Sequence, residues 1–318
     1  MNLFDDIRSA CRDVAEGATF IRIDRTKLPD YARSLGSAES PKLDPTAHFL
    51  GHGERTLAFI LILNTINFGS GWFPELRKRP GKSGSVTLAS WLHDAFAAGE
   101  NFCASKLAEI SARDCARIFD QDLRVPSIAE LMENFADALN QLGRLVVEQF
   151  HGNYAGLVES AGESAESLVG ILRTMPFFED VETWHNRHVP FYKRAQLTPA
   201  KLALAFDQRG WGKFRDLDQL TIFADNLVPH VLRVDGVLLY DQDLAARIDR
   251  EELIGAGSAE EVEIRACALH AVELIAGELR KTGHRATAMG IDNVLWNRGQ
   301  SPHYKSVKPR HRTRTVFY

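Results

Sequence analysis

The 318-residue chain is short of several things that would place a protein at once. It has four cysteines, Cys11, Cys103, Cys115 and Cys267, and no two stand at C-x-x-C spacing. That sets aside zinc-ribbon and dithiol redox sites and predicts reduced thiols in a cytoplasmic protein. It has no long apolar run. LAFILILNTINFGSGWF (Leu57–Phe73) is too short and too polar to cross a bilayer, and MNLFDDIRSACRD is acidic and amphipathic, so neither a membrane span nor a signal peptide is expected. Charge of one sign is not in excess: 38 Lys+Arg against 42 Asp+Glu leave −4, which offers no global basic face for DNA or RNA. G-x-S-x-G, P-loop, H-E-x-x-H and GxGxxG are all absent. His48 and His52 flank Gly51, but no further ligand stands at metal spacing.

What is present is helical periodicity. Leu3, Ile7, Cys11 and Val14 line the face of a first helix that Gly17 ends. Ala18–Asp24 reads as a short strand and Leu28–Pro45 as a loop. An apolar helix is predicted over Glu54–Asn67, then a long Gly/Pro loop, Gly69–Ser85. Further helices are predicted over Thr87–Ala98, Cys103–Phe119, Ser127–Phe150 and Glu163–Leu172. HGNYAGLVESAGESAES reads as a linker between helices, and MPFFEDVETWHNRHVPFY as an irregular aromatic patch before a helix in KRAQLTPAKLALAF. Asp216 or Asp218 is expected to cap a helix carrying Leu217, Leu220, Ala224 and Leu227. A short new helix then starts around Pro229 and ends at Asp235–Gly236. The clearest helix is SAEEVEIRACALHAVELIAGELRKTG, with Ser258 and Glu261 as a capping box, and IDNVLWNRG forms a short one near the end. With no strand alternation long enough for a large sheet and no evident linker, the expectation is one mainly α domain over residues 1–318.

Several residues invite a chemical reading beside a plain one. Asp225, in FADNLVPHVLRVDG, is either a surface or helix-capping acid or a partly buried carboxylate at a helix junction, which would need a charged partner. Asp292 reads first as the N-cap of its short helix, and Lys193 and Arg194 as a solvated helix start. The basic stretch YKSVKPRHRTRTVFY is either a solvated end or, from Val316, Phe317 and Tyr318, a tail that docks.

Taken together, FYKRAQL (Phe191–Leu197), LTIFADNLVPHVL (Leu220–Leu232), EVEIRACALHAVELI (Glu261–Ile275), IDNVLW (Ile291–Trp296) and HRTRTVFY (His311–Tyr318) resemble the queuosine salvage proteins, which are queuosine 5′-phosphate N-glycosylases. HFLGHGERTLAFILILNTINFG (His48–Gly69) corresponds more loosely. The resemblance implies an all-helical fold related to the helix-hairpin-helix DNA glycosylases, and hydrolysis of queuosine 5′-monophosphate to free queuine for reuse in tRNA modification. It implies a small-molecule nucleotide substrate, water as co-substrate, no cofactor, and no direct DNA or tRNA binding. It places a catalytic carboxylate at Asp225 and its charged partner at Lys193. Phe223 and Trp296 would sandwich the base, and Phe68 and His48 would also face substrate. Asp292 would read the base edge or exchange roles with Asp225, and Glu263 would meet the cationic arm of queuine. His311, Arg312 and Arg314 would hold the 5′-phosphate. The chain departs from the family pattern where NFGSGWF (Asn67, Phe68, Trp72, Phe73) replaces NFxFW and where NLVPH follows FAD in place of YRVPQ. Two other readings stand beside this one. A base-excision glycosylase acting on nucleic acid would need the broad basic face that is missing; a non-catalytic binder of a modified base would not need the Asp225–Lys193 pair. The sequence carries no sign of oligomeric state.

Overall fold

Asn2 opens the first helix by accepting the Asp5 N–H on its side chain at 2.8 Å, and two acids in the first turn suit the helix dipole. From there a computed structural model describes residues 2–35 and 42–318. In chain order these residues form α1 (Leu3–Gly17), β1 (Ile21–Ile23), α2 (Leu28–Ser34), α3 (Glu54–Thr65), α4 (Gly84–Ala97), α5 (Ala104–Leu107), α6 (Ala112–Ile118) and α7 (Pro126–Phe150). Next come α8 (Tyr154–Glu159), α9 (Ala165–Leu172), β2 (Val181–Trp184), β3 (Arg187–Pro190) and α10 (Lys193–Ala205). The rest is α11 (Leu227–Val234), β4 (Leu238–Tyr240), α12 (Gln242–Asp249), α13 (Ala259–Lys281), α14 (Ala288–Gly299) and α15 (Pro302–Ser306). The fold is mainly α, with two antiparallel strand pairs, β1–β4 and β2–β3.

The described residues divide into two compact units, each built from separated segments. The first holds residues 2–35, Asp180–Lys193 and Asp218–Arg314; the second holds Lys42–Glu179, Arg194–Leu217 and Thr315–Tyr318. In the first unit α13 is the centre. It is buried on nearly every side, from Glu261 to Val272, and α1, α2, α11 and α14 pack around it. In the second unit α7 has that place, with α3, α5, α6 and α8 against it. Gly143 of α7 lies where a Cβ would come within 2.2 Å of the Ala108 backbone nitrogen and 2.6 Å of the Ala104 carbonyl. Gly143→Ala is therefore expected to destabilise the protein by ~1–3 kcal/mol, through overpacking that outweighs alanine's better helix propensity. Chemical denaturation measures this, and a variant as stable as wild type would contradict it.

Several local expectations change. Leu28–Ser34 is a helix, not loop, because Pro29 suits the first turn; the stretch 36–41 of that expected loop lies outside the described residues. The helix expected over Cys103–Phe119 is two. Asn140 of α7 donates to the carbonyls of Leu107 and Ile110, ending α5, and Ser111 with Asp114 forms a capping box that starts α6. The expected linker after α7 contains α8, capped by Asn153. The aromatic patch is a hairpin: His185 and Asn186 both have positive φ, 45° and 61°, as a two-residue type I′ connection requires. Gly17 belongs to α1 but has no left-handed φ; it is glycine because a Cβ there would meet the Trp184 ring at 2.7 Å. No helix spans Leu217–Leu227. Asp216 caps α9 from a distance, taking the Ala165 N–H at 2.6 Å and the Ser164 hydroxyl at 2.8 Å, so residues beyond the 3-10 turn Leu217–Gln219 run irregularly to α11. The tail is docked, not solvated. The Tyr318 carbonyl accepts the Gly69 N–H at 3.0 Å and the Val316 carbonyl accepts Arg194 at 2.7 Å. Among the described residues no helix is long and apolar enough to cross a membrane.

Candidate active site

Lys193 is set by the turn before it. The Asp180 carbonyl accepts the N–H groups of Phe191 (2.9 Å) and Tyr192 (3.2 Å), and Asp180 Oδ2 accepts the Lys193 N–H at 3.0 Å. Tyr192 is thereby held at φ 47°, a left-handed conformation that costs a non-glycine residue of order 1–3 kcal/mol and is kept only where surroundings over-determine it. Lys193 is 5% exposed, so it is not the solvated helix start that its sequence suggests. Arg194 is buried too, in the second unit, donating to the carbonyls of Thr65, Phe177 and Val316 between the rings of Phe68 and Phe178.

Asp225 sits at the end of the irregular stretch, where apolar Leu220, Ile222, Phe223 and Ala224 are buried and Asp225 itself is half-buried. Its Oδ1 accepts the Leu227 N–H at 2.7 Å and the Val228 N–H at 3.3 Å, so it orients on the first turn of α11. The two sequence readings of Asp225 therefore meet in one residue: it caps a helix and stands at a junction. Asp292 is not an N-cap. Thr287 caps α14, through the Gly290 N–H, and Asp292 lies further along, 4% exposed, accepting the Phe223 N–H at 3.0 Å. Burial pushes the Asp292 carboxyl up to about 8, and the negative charge of Asp225 adds to the rise; the Phe223 N–H and the Lys193 ammonium oppose it. Asp225, Asp292 and Lys193 thus share one electrostatic neighbourhood in the first unit, in which the Asp292 carboxyl is pushed towards its protonated form.

Trp296 follows Asp292 by four residues on α14, hence on the same face, and is half-buried; Phe223 is buried. The basic tail reaches the same unit. The His311 carbonyl accepts the Asn226 side-chain amide at 3.2 Å, one residue from Asp225, and the Arg312 carbonyl accepts the Ile254 N–H at 2.8 Å. Burial, then the charges of Arg265, His230 and Arg233, push the His311 imidazole down to about 3, so at neutral pH it offers hydrogen bonds rather than charge. Arg312 and Arg314 are half-buried in the same unit. Arg310 was missed by the sequence reading. Burial lowers its pKa and the Asp225 charge raises it, which places a guanidinium within the field of that carboxylate.

Three expected residues have the following surroundings. Glu263 is fully engaged: Oε2 accepts the N–H groups of Thr19 (3.0 Å) and Phe20 (2.6 Å), and Oε1 accepts Trp184 Nε1 (3.3 Å). It ties α1, β1 and the β2–β3 hairpin to α13. Phe68 belongs to the second unit's core, edge-on to Phe135 at 5.0 Å with the Arg194 guanidinium 4.7 Å from its ring. His48 is also in the second unit. Its Nδ1 meets the Asp44 carbonyl at 3.1 Å, and burial pushes it down to about 4. Among the described residues no three His, Cys, Asp or Glu side chains gather as a metal site.

A family model described as queuosine salvage protein matches residues 47–318. The chain belongs to the queuosine salvage protein family. A relative from Sphaerobacter thermophilus named queuosine 5′-phosphate N-glycosylase/hydrolase is 36% identical over 321 residues, covering 98% of this chain and 97% of its own length. Relatives of the same name from Mus musculus (32% identical, 98% of each chain) and Dictyostelium discoideum (33% identical, 83% of this chain and 79% of its own) align in the same way.

Proposed function

We propose that this protein is an N-glycosylase that hydrolyses queuosine 5′-monophosphate, or a closely related 7-deazaguanine nucleotide, and releases queuine for reuse in tRNA modification. The observation that carries the reading is the grouping of Asp225, Asp292 and Lys193, with Asp292 pushed up to about 8 beside the charge of Asp225. A carboxyl held protonated beside a second carboxyl is the arrangement that acid-assisted glycoside cleavage uses. The relatives' names supply the substrate class.

The C1′–N bond breaks and its electron pair goes to the base nitrogen, leaving positive charge on the ribose. Asp225, fixed by two α11 N–H groups, faces that charge and stabilises it. Asp292, protonated at neutral pH, gives its proton to the departing base. Water adds its oxygen to C1′ and its proton returns to the Asp292 carboxylate, giving ribose 5-phosphate and restoring the acid. The Lys193 ammonium opposes the rise at Asp292. Phe223 and Trp296 stack on the flat base, while Arg310, Arg312 and Arg314 with His311 receive the 5′-phosphate. Glu263 is given no substrate role. The reading treats the chain as one domain, with a fold related to the helix-hairpin-helix glycosylases, working in the cytoplasm on a free nucleotide.

The phosphate role tests the reading. Purified protein is given queuosine 5′-monophosphate, queuosine and GMP, and products are separated by chromatography. Queuine is expected from the modified nucleotide, far less from the nucleoside and none from GMP. Equal rates on nucleotide and nucleoside would contradict the phosphate assignment.

A further inference from the structure

We infer that the buried Asp180–Arg265 pair is a positioning device that fixes Lys193 and Asp225 relative to one another; this rests on the catalytic reading above. Arg265 sits within α13 with its side chain 0% exposed, and Asp180, at the start of the segment leading to β2, is 3% exposed. One guanidinium holds both halves of the site. Arg265 Nε donates to the carbonyl of Ala224, the residue before Asp225, at 3.0 Å. Arg265 Nη2 donates to Asp180 Oδ2 at 2.6 Å, and that same oxygen accepts the Lys193 N–H at 3.0 Å. The guanidinium lies over the Phe191 ring at 3.9 Å, two residues before Lys193, and the Asp180 carbonyl takes the N–H groups that keep Tyr192 left-handed. The pair thus joins the backbone beside Asp225 to the backbone of Lys193.

A fully buried ion pair is poor evidence of a stabilising role, because removing both charges from water costs about as much as their attraction returns. Arginine also does here what lysine cannot, since its planar fork reaches two acceptors in fixed directions. The chain has placed an arginine inside its central buried helix, bonded both to the backbone before Asp225 and to the carboxylate that holds the Lys193 N–H.

The test is steady-state kinetics on queuosine 5′-monophosphate for wild type, Asp180→Asn, Arg265→Lys and the double variant, with folded fraction measured by circular dichroism. Asp180→Asn keeps an oxygen for the Lys193 N–H and loses the charge that aligns Arg265. A misplacement near 1 Å costs about 100-fold, so kcat is expected to fall ~10–100-fold while KM stays within about threefold. Arg265→Lys meets only one of the two acceptors and is expected to lose a similar factor. The double variant is expected to lose no more than the worse single, because either change breaks the same bridge. If Arg265→Lys does not fold, Asp180→Asn decides alone. A folded Asp180→Asn with wild-type kcat, or losses that follow only the folded fraction, overturns the positioning role and leaves the catalytic reading intact. A wild type that releases no base overturns that reading and this role with it.

Discussion

Asp225→Asn is expected to fold as wild type does and to lose at least ~10²–10³-fold in the rate of base release. The substitution separates the two tasks of this residue. An asparagine oxygen still accepts the Leu227 and Val228 N–H groups, so the start of α11 is preserved. What disappears is the negative charge that faces the ribosyl cation, and neutral amides give little help there. The same change removes the charge that pushes the Asp292 carboxyl upwards, so the pKa of Asp292 is expected to fall in this variant. Circular dichroism checks folding, chromatography checks queuine release, and a fully active Asp225→Asn would remove Asp225 from the chemistry.

Asp292 carries the second large effect. Its proton is held up to about 8 in the folded protein, against 3.8 for an ordinary aspartate. If that proton goes to the departing base, kcat declines as pH rises through about 8, and Asp292→Asn, which has no acid to give, loses ~10²-fold or more and loses the alkaline limb. The sign for stability is also fixed. Between the two values the unfolded chain has released this proton and the folded chain has kept it, so unfolding releases a proton. The contribution of Asp292 to stability therefore decreases as pH rises through that window and is level above about 8. Asp292→Asn, whose amide oxygen can still accept the Phe223 N–H, is expected to flatten that slope and to melt higher than wild type at neutral pH. An unchanged slope would show that Asp292 is not held protonated.

The long helices were legible because they are periodic and capped locally. α1 and α13 can be read from apolar spacing, and both start at a side chain that accepts an N–H three residues on, Asn2 and Ser258. Elements decided by distant partners were not legible. The break between α5 and α6 depends on Asn140, and the absence of a helix after Asp216 follows from that carboxylate capping α9. The hairpin escaped notice because its turn is His185–Asn186, not one of the glycine pairs that usually signal it. At the site, motif resemblance points to Lys193, Asp225 and Asp292, which lie within quoted segments and share one electrostatic neighbourhood. It placed Glu263 on substrate because a helix pattern does not show which oxygens are already taken. Asp180 and Arg265 are 85 positions apart, and only an arginine inside an apolar helix pattern hinted that a buried partner existed.

The central claim is turnover of an N-glycosidic bond, and a time course of queuine and ribose 5-phosphate released from excess queuosine 5′-monophosphate tests it most directly. The account predicts both products at one to one, continuing well past one equivalent per protein chain. Tight binding of the nucleotide with no base released, or release that stops at a single equivalent, would contradict it and describe a protein that holds a modified nucleotide without cleaving it.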